Sequence, residues 1–209
     1  MKTAFTLFVL LTSTYFSIAQ TDDEKVRQLE RRLEQIEERM SNLEKQVYGP
    51  VGKNRTEASP AAKKMMEEAR KRVDADRKKF PDTDIRKAEA LYQSAMPDYT
   101  SDSSQRILES VVSTYPQLNR AGCARLYLAR AAEGPEQERL LKDCITRFFD
   151  CYYLDGVQVG PFAMFHLWKY YMSSGNKSEA ENLLQKIRKD HPDAVDHKGR
   201  LLSELIGRD

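Results

Sequence analysis

The chain has 209 residues, enough for one ordinary domain with accessories and too few for two large ones. Lys and Arg number 34 against 32 Asp and Glu, so no global charge bias points to nucleic acid as a partner. Charged residues reach 32% while Gly and Pro number only 9 and 8, which favours long helices over a sandwich or barrel of short strands.

The chain begins with a short basic start, Met1-Lys2-Thr3, then an apolar run over 4–11. Ser17 and Ala19 are small residues at the positions a signal peptidase reads, so residues 1–19 are expected to be a signal peptide cleaved before Gln20. An uncleaved N-terminal anchor is the other reading. The run is too short and too dotted with Thr and Ser for a comfortable membrane span. No later run is long enough, so no integral membrane segment is expected after cleavage. The expected location is outside the cytoplasm: the periplasm, otherwise the secreted fraction.

Residues 22–48 carry an unbroken heptad seam. Val26, Leu33, Met40 and Val47 fall at a, and Leu29, Ile36 and Leu43 at d. Almost everything between them is polar, so the stripe is the narrow seam of a coiled coil. Flanking charges pair favourably in a parallel, in-register assembly: Lys25 with Glu30, Arg32 with Glu37, Arg39 with Glu44. Self-association is therefore expected. Two consecutive Arg–apolar–x–x–apolar–Glu runs resemble the signature of trimeric coiled coils, which makes a parallel trimer the first expectation and a dimer the second. The remaining reading is a lone amphipathic helix packed on the C-terminal domain.

Gly49-Pro50-Val51-Gly52 breaks that helix, and 49–59 reads as a linker. Ser59-Pro60 is a helix start, with Ser as N-cap and Pro at the first position. The basic connecting helix that follows, 60–80, has a thin apolar stripe of Ala62, Met65, Met66, Ala69 and Val73 and eight Lys or Arg between 63 and 79. Two readings stand: contact with an anionic surface such as headgroups, envelope polymer or acidic protein, or a solvated helix docking its stripe on the next domain. No aromatic residue interleaves with the cations before Phe80, which speaks against nucleic acid.

Residues 84–206 contain three helical units whose ends are Tyr115-Pro116, Phe148-Phe149 and His191-Pro192. The third is the clearest: Met164, Leu167, Trp168 and Tyr171, then Gly175-Asn176, then Ala180, Leu184 and Pro192. It resembles the tetratricopeptide consensus slot by slot, except that Trp168 stands where a small residue is usual. The first unit keeps Leu91, Leu108, Val111 and Pro116, and the second Leu126, Gly134-Pro135, Leu140 and Leu141. Residues 150–160 look like an insertion, and Leu201, Leu202, Leu205 and Ile206 like a capping helix. The resemblance implies an all-α fold: an N-terminal coiled-coil helix followed by an α-α superhelix of tetratricopeptide-like helical hairpins. The order of parts also resembles in layout the family of periplasmic cell-division coordinators that work with the Tol-Pal system. From about residue 82 the chain is expected to fold alone.

No catalytic or metal-binding motif is present, so no enzyme activity, cofactor or metal is expected. His166 and His191 read as packing or surface residues, and Asp196-His197 as a helix start or a weak metal site. Asp150, Tyr152, Tyr153, Asp155 and Gln158 form a candidate binding loop, because long connections often carry function. Cys123 and Cys151 are a candidate disulfide in an oxidising compartment, with Cys144 the competing partner for Cys123. Two function classes remain. One is an exported homo-oligomeric scaffold or adaptor that binds an envelope protein or peptide through its helical-repeat face. The other is a cell-envelope-binding protein that grips an anionic polymer or membrane surface through helix 60–80.

Overall fold

The structure is a computed structural model and describes residues 58–206. The expected signal peptide, the seam from Val26 to Val47 and most of the expected linker lie outside the described residues. The described chain is all-helical, with eight helices, one 3-10 turn at Met96–Asp98 and no strand. The helices are α1 Pro60–Lys79, α2 Asp82–Ala95, α3 Asp102–Thr114, α4 Asn119–Ala131, α5 Gly134–Arg147, α6 Val159–Ser173, α7 Lys177–Asp190 and α8 Leu202–Leu205. No helix among the described residues is long and apolar enough to cross a membrane.

Local sequence explains most of these elements. Ser59 Oγ accepts from the Ala62 amide at 3.2 Å, and Pro60 opens α1, as the sequence predicts. α3 buries Ser104, Leu108, Val111 and Val112, and α7 buries Ala180, Leu184 and Ile187; both are stripes of helical period. α6 differs, since apolar side chains surround it and 10 of its 15 residues are buried. It packs on α4, α5 and α7.

Each helix from α2 onward packs on the next one in the chain, and short connections fold successive helices back on each other. α4 also touches α2 and α6, so these three stand side by side as one row. Tyr92, Leu108, Leu126, Leu141, Leu167 and Ile187 lie in a single apolar core running through this stack.

The 150–160 segment is part of a recurring unit. Val159 and Gly160 already belong to α6, and the turn before them returns 43 residues later, after α7. In the first turn Tyr153 N–H donates to Val157 O at 2.9 Å, Gly156 to Tyr153 O at 3.0 Å and Val159 to Cys151 O at 2.8 Å. In the second, Asp196 donates to Arg200 O at 2.9 Å, Gly199 to Asp196 O at 2.8 Å and Leu202 to Ala194 O at 2.9 Å. An isolated antiparallel bridge closes each turn, Tyr152 with Gln158 and Val195 with Leu201. Gly156 and Gly199 take φ of +92° and +73°, a region costly for any residue with a Cβ. Thus α5–turn–α6 is repeated as α7–turn–α8, and the four-residue α8 occupies the place of a second α6-like helix. The apparent insertion is the normal connector of this unit.

α1 lies against both turns. Ala62 and Met65 form a small cluster with Val195, joined by Tyr152 and Leu201. Gly156 approaches the α1 backbone so closely that a Cβ there would sit 2.9 Å from Met66 N. Polar contacts add to this. Ser59 Oγ donates to Gly199 O at 3.3 Å, and Lys64 Nζ to Asp193 Oδ2 at 2.5 Å. Buried Asp76 pairs with Arg72 and accepts from the Asn119 amide at 2.6 Å, where α4 begins. The basic helix is thus docked by its thin stripe, and it belongs to the same compact unit as α2–α8.

Candidate binding pocket

An open pocket of about 320 Å³ lies where α4, α6 and the second turn meet. α6 supplies its floor. Phe162, Phe165 and Trp168 follow at three-residue intervals, so they rise along one face of the helix. Phe162 and Phe165 stack at 6.1 Å with 12° between planes, and Phe165 and Trp168 at 5.9 Å with 17°. Leu205 of α8 completes the apolar part. Trp168 thus fills the slot where the repeat pattern wants a small residue, and it lines an opening.

The rim is cationic. Arg130 comes from the end of α4, Lys169 from α6, and Lys198 and Arg200 from the second turn. The Arg130 guanidinium lies over Tyr127 at 5.4 Å and Tyr99 at 5.8 Å, contacts that orient the charge without neutralising it. Lys169 Nζ lies 4.8 Å from the centre of the Phe165 ring. Arg200 is spoken for, since its Nε donates to Asp196 Oδ2 at 2.8 Å. Asp196 also accepts from the Lys198 and Arg200 amides at 2.9 Å each, so it shapes the turn. Burial works to raise its carboxyl, but these donors outweigh it and hold the pKa below the usual carboxylate value.

His166 stands between the floor and the rim. Its Nε2 is buried and has no hydrogen-bond partner. Burial first, then the charges of Arg130 and Lys169 and the neighbouring His197, push its pKa down to about 3. The imidazole is therefore neutral at pH 7, and an unanswered polar atom sits at the base of a positive opening.

The residues singled out in the sequence are dispersed by the fold. Asp150 is exposed on the first turn, and Tyr152 is half-buried beneath α1. Tyr153 is buried and its hydroxyl donates to Cys123 O at 3.1 Å. Gln158 Nε2 donates to Phe149 O at 3.3 Å. Asp155 does not line the pocket, but it accepts from the lining residue His197 through Nδ1 at 2.8 Å and so braces the second turn against the first. His197 is thereby committed to a structural pair. Cys123 and Cys151, the candidate disulfide pair, and Cys144 are free, buried thiols in this structure. Cys123 Sγ is directed to Tyr152 O at 3.3 Å, while Cys151 packs over Gly122. Desolvation pushes Cys123 up to about 12 and Cys151 up to about 11, so both are inert thiols at pH 7.

Sequence reasoning passed over Arg130, Phe162, Phe165, Lys169 and Lys198. The misfit of Trp168 in its slot, together with His166 and the Asp196-His197 pair, was the signal that pointed here. Among the described residues no three His, Cys, Asp or Glu side chains converge as a metal site. Compared with known proteins, the chain matches no family profile, no curated protein and no solved structure.

Proposed function

We propose that the protein is an exported, homo-oligomeric adaptor that binds a protein or peptide partner through its helical-repeat face and performs no catalysis. The heptad seam supports the oligomer, and the N-terminal address supports export. The side-by-side row of α2, α4 and α6 supports a tetratricopeptide-like array, in which such a row faces the partner. The observation that carries the reading is the pocket: an aromatic floor, a cationic rim and an unpartnered His166 Nε2 on α4 and α6. That is a recognition surface with orienting polar groups, and it contains no nucleophile–base pair.

The alternative, a grip on anionic surfaces through α1, is the weaker one. Much of that helix's charge is answered internally: Lys64 by Asp193, Lys71 by Glu67 and Glu68, Arg72 by Asp76 and Arg77 by Asp74.

Crosslinking in producing cells, followed by pull-down of residues 20–209, tests the choice. A protein partner lost on Lys169→Glu with Lys198→Glu, and retained when Arg70, Lys71, Arg77, Lys78 and Lys79 are neutralised with Arg72 kept for its pair with Asp76, is the expected result. The reverse pattern, or lipid or polymer recovered in place of protein, would favour the surface-binding reading.

A further inference from the structure

We infer that the pocket between α4, α6 and the second turn seats an acidic segment of the partner, with side-chain carboxylates at its cationic rim and one aromatic or large aliphatic side chain over its aromatic floor. This assignment of ligand class rests on the adaptor reading above.

The charge pattern is the first argument. Elsewhere the described cations commonly meet carboxylates, as Arg120 does with Glu89, Arg125 with Asp143 and Lys142 with Glu138. Among the described residues no carboxylate pairs with Arg130, Lys169 or Lys198. Three uncompensated cations around one opening create a local positive potential in a protein that is nearly neutral overall.

The distribution of these charges selects among anions. Each cation comes from a different element: Arg130 from α4, Lys169 from α6 and Lys198 from the turn. Separate single charges along a peptide match this better than one compact dianion, which prefers converging donors. The floor selects the rest of the ligand. Phe162, Phe165 and Trp168 give the opening an apolar lining, and about 320 Å³ accommodates a large side chain but no folded domain. Neutral His166 can donate through Nε2 to a carboxylate drawn down beside that side chain, which would satisfy its buried atom.

Trp168 is the only tryptophan in the chain, so its fluorescence reports directly on the pocket. The probe is a pool of short synthetic peptides, blocked at both ends and randomised over Asp, Glu, Phe, Leu and Gly. Its control is the same pool with Asn and Gln replacing Asp and Glu. The acidic pool should change Trp168 emission in residues 20–209, and the amide pool should bind at least about tenfold more weakly. Lys169→Gln with Lys198→Gln, both at exposed positions, should weaken binding by about tenfold or more, and Arg130→Gln should do likewise. Lys177→Gln should leave it unchanged. No response to the acidic pool at about 1 mM, or equal affinity for both pools, would overturn the inference. So would inorganic phosphate that displaces the pool at equal concentration, which would assign a compact anion. Partner capture lost on Lys169→Glu with Lys198→Glu, combined with no response to acidic peptides, would leave the adaptor reading standing and remove only this ligand class.

Discussion

Gly122 has no room for a side chain. A Cβ there would lie 2.4 Å from Cys151 Cβ and 2.5 Å from its Sγ, and Cys151 is itself anchored by the turn it opens. Gly122→Ala should therefore lower stability by about 1–3 kcal/mol, read as a lower denaturant midpoint at unchanged slope. An unchanged midpoint would mean that α4 and the first turn are less tightly packed than described. His166 supplies a second residue-scale expectation. Unfolded, an ordinary histidine takes up its proton near 6.5; folded, this one stays neutral down to about 3. Between those values the unfolded state holds the extra proton, so stability falls as pH falls. From pH 7 to pH 5 the loss from this group should be about 2 kcal/mol. His166→Leu should show a shallower decline across that window in urea titrations at each pH. An equally steep decline in the variant would place the effect elsewhere.

At the scale of elements, α1 holds the two turns in place, although its stripe is thin. Ala62 is almost fully buried, and its small side chain lets the helix approach the second turn closely. Asp76 carries the polar part of this dock. Asp76→Ala would leave the Asn119 amide and the half-buried Arg72 without their shared acceptor, and should cost about 2–4 kcal/mol in chemical unfolding. The expectation that the chain folds alone from about residue 82 changes accordingly. A fragment beginning there exposes Val195, Tyr152 and Leu201, so it should melt lower and less cooperatively than one beginning at 58. Identical melting curves for the two fragments would show that the contact adds nothing to the fold. The turn that recurs at 43-residue spacing explains why α1 can dock at all, because two similar turns present two similar seats on one side of the stack.

At the scale of the whole molecule, the proposed assembly rests on the heptad seam. Residues 20–209 should run as a parallel trimer in light scattering. Ile36→Asp, which places a carboxylate at a seam position in every chain, should give monomers. A monomeric wild type would remove both the oligomer and any gain from presenting several pockets on one particle. With an assembled wild type, that gain is itself measurable, since linked sites raise apparent affinity for a partner displaying several copies of the acidic segment.

Helix positions were legible in the sequence because they depend on near neighbours. Ser59-Pro60 starts a helix wherever it sits, and Leu108, Val111 and Val112, or Ala180, Leu184 and Ile187, define a buried stripe through spacing alone. The all-helical class and the three pairs of helices followed from the same short-range signals. The pocket did not, because it is relational. Arg130, Trp168 and Lys198 stand tens of residues apart in the chain and become one rim and floor only when α4, α6 and the second turn pack together. Whether a lysine has a carboxylate opposite it, or a histidine nitrogen a partner, depends on which distant elements meet. The places of Tyr152 and Tyr153 are relational too: a polar, aromatic loop reads alike in one dimension whatever it meets, and the fold sets Tyr152 against α1 and the Tyr153 hydroxyl on the Cys123 carbonyl.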